Sequence, residues 1–155
     1  MPADSRVKWL KSNVDRCSVD LLDTKIFPLI GADGFARLVS AFYRRIPEDD
    51  ILGPMYRRED SGPGNSVTDL SAAEGRLRDF LIQRFGGPED YSRRRGHPRL
   101  RMRHAPFAIG PAARDRWVQL MEQALAETHL PPAAEQVLRR FFQETATFLI
   151  NRLVL

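Results

Sequence analysis

Apolar residues recur at spacings of three and four along most of this chain, a period that suits helices and leaves little room for strands. Phe35, Leu38, Val39, Phe42 and Ile46 fall on one helical face, which Pro47 closes. Leu70, Ala73, Leu77, Phe80, Leu81 and Phe85 make a second stripe, and Gly86, Gly87 and Pro88 follow it as a stop signal. Pro111 sits at a favourable first helical position after Gly110 and opens a third stripe with Trp117, Leu120, Met121 and Leu125. Pro131 and Pro132 introduce a fourth, with Val137, Leu138, Phe141, Phe142, Thr145, Phe148 and Leu149. No stretch sustains the polar–apolar alternation of a half-buried strand. The expected fold class is all-α, with four main helices and shorter pieces between them.

Two regions interrupt the pattern. SGPGNS, residues 61–66, has the composition of a flexible loop. GGPEDYSRRRGHP, residues 86–98, holds three glycines and two prolines and reads as a loop rather than one long helix. A long loop in a small domain is commonly functional or disordered, and this one leads into His97 and His104, which favours function. Trp9, Leu10, Val14, Leu21 and Leu22 suffice for a short helix before the main core. The chain therefore divides into an N-terminal helical extension, residues 1–24, and one domain over residues 25–155.

At 155 residues the chain can bury one sizeable core, and two would be cramped. Its 43% hydrophobic and 28% charged residues are ordinary for a folded soluble domain and argue against disorder. Uninterrupted apolar runs fall far short of the roughly 20 residues that cross a bilayer. The opening segment also lacks the apolar core of a secretory signal, so the expected setting is the cytoplasm. Cys17, the single cysteine, cannot form an intramolecular disulfide and reads as a small hydrophobe.

The formal charge is +4, and six arginines crowd into RRRGHPRLRMR, residues 93–103. Such a run is ordinarily a solvated face. It also suits a polyanion, nucleic acid included, or the carboxylates of a cofactor, which Arg binds through paired hydrogen bonds.

His97, His104 and His129 are the only imidazoles. A lone histidine on a helical chain is more often a satisfied core or surface residue than a ligand. Pro98 interrupts the segment between His97 and His104, and no carboxylate stands at a helical spacing that completes a tetrahedral zinc site. No nucleophile triad or Gly-rich phosphate loop is apparent. What remains is an apolar cleft with Tyr43, Tyr56 and Trp117 as donors, small Ala73 on a second helix, and an Arg-rich loop leading to His104 and Phe107. These ingredients suit haem: apolar walls for the porphyrin, imidazole for iron and Arg for the propionates. Read singly, Tyr43 and Trp117 would each pass for core packing.

Residues 86–121, GGPEDYSRRRGHPRLRMRHAPFAIGPAARDRWVQLM, resemble the signature region of group II truncated haemoglobins. Gly86-Gly87-Pro88, Tyr91, Gly96-His97-Pro98, Arg103-His104, Pro106-Phe107, Ile109 and Trp117 match in order and spacing, and GFARLVSAFYRRIPEDDIL upstream supplies Phe42-Tyr43. The resemblance covers residues 25 to about 125 well and the last helix loosely. It implies a shortened globin, a two-over-two helical sandwich around haem b. His104 matches the proximal iron ligand, and His97 belongs to a turn and does not ligate. Tyr43, Tyr56 and Trp117 match the distal trio of donors that favour a partly negative diatomic ligand. Ala73 matches the distal gate, Leu77 presses on the ligand space from one turn further on, and Arg76, Tyr91 and Arg103 are candidates for propionate contacts. Residues 57–67 are longer than in many relatives, which bears on where Tyr56 points. Gly75 inside the distal helix costs about 1 kcal/mol against Ala.

The function so implied is reversible binding of O2, NO and CO, with NO dioxygenation or peroxidase-like activity as the chemistry and a reductase as electron donor. A non-enzymatic O2 carrier or sensor is the rival within haem proteins. A helical nucleic-acid binder using residues 93–103 is the rival outside them; it predicts affinity that falls steeply with salt and leaves the tyrosines, Trp117 and the Gly-His-Pro turn unexplained. The expected partners thus exclude nucleic acid and a membrane, and association as a homodimer stays open.

Overall fold

A computed structural model of the chain describes residues 23–59 and 70–152. The expected loop at residues 61–66, and the N-terminal extension up to residue 22 with Trp9 and Cys17, lie outside the described residues. After a short 3-10 turn at Asp23–Lys25 come α1 (Ile26–Tyr43), α2 (Leu52–Glu59), α3 (Ser71–Arg84), α4 (Asp90–Arg95), α5 (Leu100–His104), α6 (Pro111–Thr128) and α7 (Pro132–Phe148). Among the described residues there is no strand.

The four apolar stripes become α1, α3, α6 and α7, and both proline starts hold: Pro111 and Pro132 are the first residues of α6 and α7. Two boundaries differ from the expectation. The first stripe runs to Ile46, but α1 stops at Tyr43 because the next turn tightens to three-residue bonds, Arg45 N–H to the Phe42 carbonyl at 3.1 Å and Ile46 N–H to that of Tyr43 at 3.2 Å. Ile46 stays fully buried, so burial outlasts the helix. The expected loop at residues 86–98 contains α4. Its glycines and prolines crowd the two ends and leave Asp90–Arg95 free to coil, while the Gln83 carboxamide of α3 pairs with the Ser92 N–H (2.9 Å) and hydroxyl (2.7 Å).

Two glycines are required by the backbone. Gly31, at φ 68° and ψ 176°, kinks α1 in a region side chains avoid. Gly86, at φ 98°, lies so close to the chain that a Cβ there would sit 2.1 Å from the Thr24 carbonyl oxygen. The end of α3 is thereby held against the start of α1, where the Phe27 N–H meets the Phe85 carbonyl at 2.9 Å.

Helix α1 packs against both α3 and α6, and α6 packs against α7. This is the two-over-two globin arrangement that the sequence resemblance implied. Phe35, Leu38 and Phe42 of α1 meet Leu81, Phe85, Met121, Leu125 and Leu138 in the core, each 2% exposed or less. Its rings run on from Phe35 to Phe85 (6.0 Å) and Phe141 (5.0 Å), and such pairs contribute about 0.5–1.5 kcal/mol beyond their burial. By length and composition alone, Asp23–Tyr43 could cross a membrane. Its apolar face is instead the middle of this core.

Candidate functional site

The helices enclose a cavity of about 390 Å³, within the span of roughly 300–1,000 Å³ usual for small-molecule and cofactor sites. All ten residues singled out from the sequence line it: Tyr43, Tyr56, Ala73, Arg76, Leu77, Tyr91, Arg103, His104, Phe107 and Trp117. Leu77 and Phe80 on α3, both partly exposed, line the cavity as well as packing against the core.

One wall carries the hydroxyl and indole groups. Tyr43 is 7% exposed at the end of α1, and its ring meets that of Tyr56 edge-on at 5.7 Å. The Trp117 Nε1–H donates to the Tyr56 hydroxyl oxygen at 3.3 Å, which turns Tyr56 into the cavity. Leu52 and Met55 line the cavity beside it. Met55 and Tyr56 follow Leu52 by three and four residues, a spacing that marks one helical face and was a usable signal in the sequence.

A buried carboxylate sets this wall. Asp49, 8% exposed, accepts the N–H groups of Leu52 (2.7 Å) and Ile51 (3.1 Å) and so caps the start of α2. Its other oxygen accepts from Arg116 at 2.8 Å, and the same guanidinium reaches Asp50 at 3.1 Å. Burial alone would raise the carboxyl pKa; the Leu52 N–H, Arg116 and the Ile51 N–H outweigh it and hold Asp49 below the ordinary carboxylate value. Arg116 is raised in turn, mainly through its bond to Asp49. Since Arg116 adjoins Trp117 and Asp49 caps the helix bearing Tyr56, one ion pair ties together the two elements whose side chains meet. Sequence reasoning missed both residues, although an Asp three positions before Leu52 is a recognisable cap.

His104, the last residue of α5, also lines the cavity. Its Nδ1 lies 2.7 Å from the Leu100 carbonyl oxygen, so that nitrogen carries the proton of a neutral ring and Nε2 keeps its lone pair. Among the described residues Nε2 has no hydrogen-bond partner. His97 does not line the cavity; its Nδ1 accepts the N–H of Arg99 at 3.1 Å, steadying a residue at φ 40°. Arg103 donates through Nη2 to the carbonyls of Arg95 (2.7 Å) and His97 (3.4 Å), while its buried Nε has no partner among the described residues. Tyr91, 6% exposed, packs edge-on to Phe80 at 5.7 Å. Arg95 also lines the cavity, and nothing in the sequence set it apart from its five neighbouring arginines.

Among the described residues no three His, Cys, Asp or Glu side chains converge to hold a metal ion. The donor set is one imidazole with a bare nitrogen, apolar and aromatic walls, and arginines that include a buried unpartnered N–H. That set fits a flat apolar macrocycle with one axial coordination site and peripheral carboxylates, which describes haem.

The family model described as bacterial-like globin matches residues 25–151. A group 2 truncated hemoglobin, 3-1, of Lotus japonicus is 33% identical over 129 residues, covering 83% of this chain and 73% of its own length. Among solved structures, the hemoglobin of the thermophilic phototrophic bacterium Chloroflexus aurantiacus superposes with a TM-score of 0.73 at 43% identity, covering 82% of this chain and 98% of that one. The truncated oxygen-avid haemoglobin of Bacillus subtilis gives 0.71 at 30% identity, covering 81% and 98%.

Proposed function

The chain belongs to the bacterial-like globins, among the group II truncated haemoglobins, and from that premise we propose that it is a haem-b protein that reversibly binds O2, NO and CO and turns over NO or peroxide. Family membership implies haem-based binding of diatomic ligands; the haem type, the residue roles and the chemistry are our reading. The observation that carries it is His104, whose Nδ1 is engaged by the Leu100 carbonyl 2.7 Å away. That bond fixes the tautomer and leaves Nε2 as the ligand for iron.

Haem bound in the cavity would supply an iron able to bind a diatomic ligand. The chain does the rest. Phe107 and Leu77 give apolar surface to the macrocycle, and the buried Nε of Arg103, with Arg76 and Tyr91, holds its carboxylates. Tyr43, Tyr56 and Trp117 line the same cavity as His104. Tyr56 accepts from Trp117, and a hydroxyl that accepts can also donate; each donor to a partly negative ligand is worth on the order of 1 kcal/mol. Ala73 leaves the approach open. A relative described as oxygen-avid accords with a wall of two tyrosine hydroxyls backed by Trp117, whose single N–H goes to Tyr56; such a wall retains O2 and so suits chemistry better than delivery. We place the protein in the cytoplasm, with a reductase as its electron donor.

Absorption spectra of the ferric and dithionite-reduced protein, with and without CO, test this beside His104→Ala. The expected result is an intense Soret band that shifts with CO and is lost or strongly altered in the variant. Absence of haem after reconstitution with hemin overturns the reading. Slow O2 release with NO consumption in the presence of a reductase supports catalysis, and fast release without NO consumption supports a carrier.

A further inference from the structure

We infer that Asn151, beyond the end of α7, is a positioning residue for His104, acting as a clasp on the turn that follows the histidine. Its Nδ2 donates to the His104 carbonyl at 3.2 Å and to the Phe107 carbonyl at 2.8 Å, and its Oδ1 accepts the Ile109 N–H at 2.9 Å. The backbone joins in: the Ile109 carbonyl accepts the N–H groups of both Asn151 and Arg152 at 3.0 Å. One carboxamide thus spends two donors and an acceptor on three main-chain groups, at the end of α5 and in the turn that follows it. Only a short side chain with both kinds of group does this; Asp lacks the donors, and Ala lacks everything.

The clasp matters because packing does little for this wall. Helix α5 is five residues long, has no buried residue and starts from Arg99 in the left-handed region. Within the turn itself, the Phe107 N–H to His104 carbonyl bond at 3.0 Å is the chief closure. Among the described residues α5 also meets α7 where the Arg101 guanidinium lies 5.2 Å from the centroid of the half-exposed Phe148 ring. Asn151 therefore joins the histidine's main chain to the end of α7, whose Phe142 lines the same cavity. The height and tilt of the His104 ring are set from 47 residues away in sequence. The inference rests on the reading of His104 as the iron ligand.

Asn151→Ala, Asn151→Asp and the control Arg152→Ala test it in the haem-loaded protein. Three readouts apply: the iron–histidine stretching band by resonance Raman, the rate of hemin transfer to excess apomyoglobin, and hydrogen exchange at residues 105–109. Asn151→Ala should move or broaden the band, speed haem loss about tenfold for the bonds removed and deprotect Phe107 and Ile109. Asn151→Asp keeps the acceptor, so it should restore protection at Ile109 and leave haem loss fast; Arg152→Ala should match the wild type. An unmoved band with wild-type haem loss in Asn151→Ala overturns the clasp. So does faster haem loss that merely follows a lower melting temperature with the band in place. A wild type without haem fails earlier and takes the ligand reading with it, so the two failures are told apart by the first spectrum.

Discussion

Tyr43 closes an eighteen-residue helix whose last three residues are all buried, whereas His104 closes a five-residue helix with none buried. The two walls of the cavity are held by different forces. Behind Tyr43, Tyr56 and Trp117 lies the aromatic core, with Phe42 in contact with Trp117 at 5.3 Å and Trp117 with Phe142 at 5.6 Å. Behind His104 lie hydrogen bonds to main-chain carbonyls, from the Leu100 carbonyl on one side to Asn151 on the other. Burial is non-directional and grows with area, so it holds the donor wall firmly. Hydrogen bonds at partly exposed positions add little to global stability but fix direction, which is what a ligand to iron requires.

The widest contrast is in stability. Phe42→Ala, at a residue 0% exposed, should cost about 3–5 kcal/mol in urea unfolding. Met102→Ala on α5, at a residue 60% exposed, should stay within about 0.5 kcal/mol. Similar costs at both would break the comparison.

Asp49→Asn sharpens it further. Asn keeps the cap acceptor but not the charge facing Arg116, whose side chain is 32% exposed, so a loss of about 1–2 kcal/mol is expected near neutral pH. The folded pKa of Asp49 lies below its unfolded value of 3.8. Its stabilisation is therefore complete above about pH 4 and is lost as pH falls through the folded value. A stability–pH profile should show that part of the acid limb in the wild type and not in the variant; superimposable limbs would remove Asp49 from the account.

Trp117→Phe removes the N–H that Tyr56 accepts and keeps most of the aromatic contact. Loss of about 1 kcal/mol predicts O2 release roughly fivefold faster by stopped flow. Combined with Tyr56→Phe, the effects should fall short of additive, because the two share a bond.

The smallest effects are a matched pair of backbone changes. Gly75 in α3 has room for a methyl, with only the Arg78 guanidinium 3.7 Å from a Cβ, so Gly75→Ala should stabilise by up to about 1 kcal/mol. Arg99→Gly should gain about as much in the other wall by relieving a φ of 40°. Thermal melts decide both.

Much of this was legible in the residues themselves. The stripes on α1, α3, α6 and α7 follow from a 3.6-residue period, and Pro111, Pro132 and Gly86-Gly87 marked real helix ends, because these are properties of local backbone and side-chain spacing. The ten cavity residues were legible through a dense run of matched motifs, not through periodicity, which cannot tell a core-facing tyrosine from a cavity-facing one. The direction of Tyr56 was beyond reach, since it depends on Trp117, 61 residues along the chain. So was the hold on His104: an asparagine after the last helix carries no pattern, and only closure of the fold brings its amide to residues 104–109. Sequence by itself determined what is periodic or local, the helices, their ends and the inventory of groups. The tertiary structure alone decided which distant groups meet, because a hydrogen bond needs a distance near 3 Å and no spacing along a chain supplies that until the chain has packed.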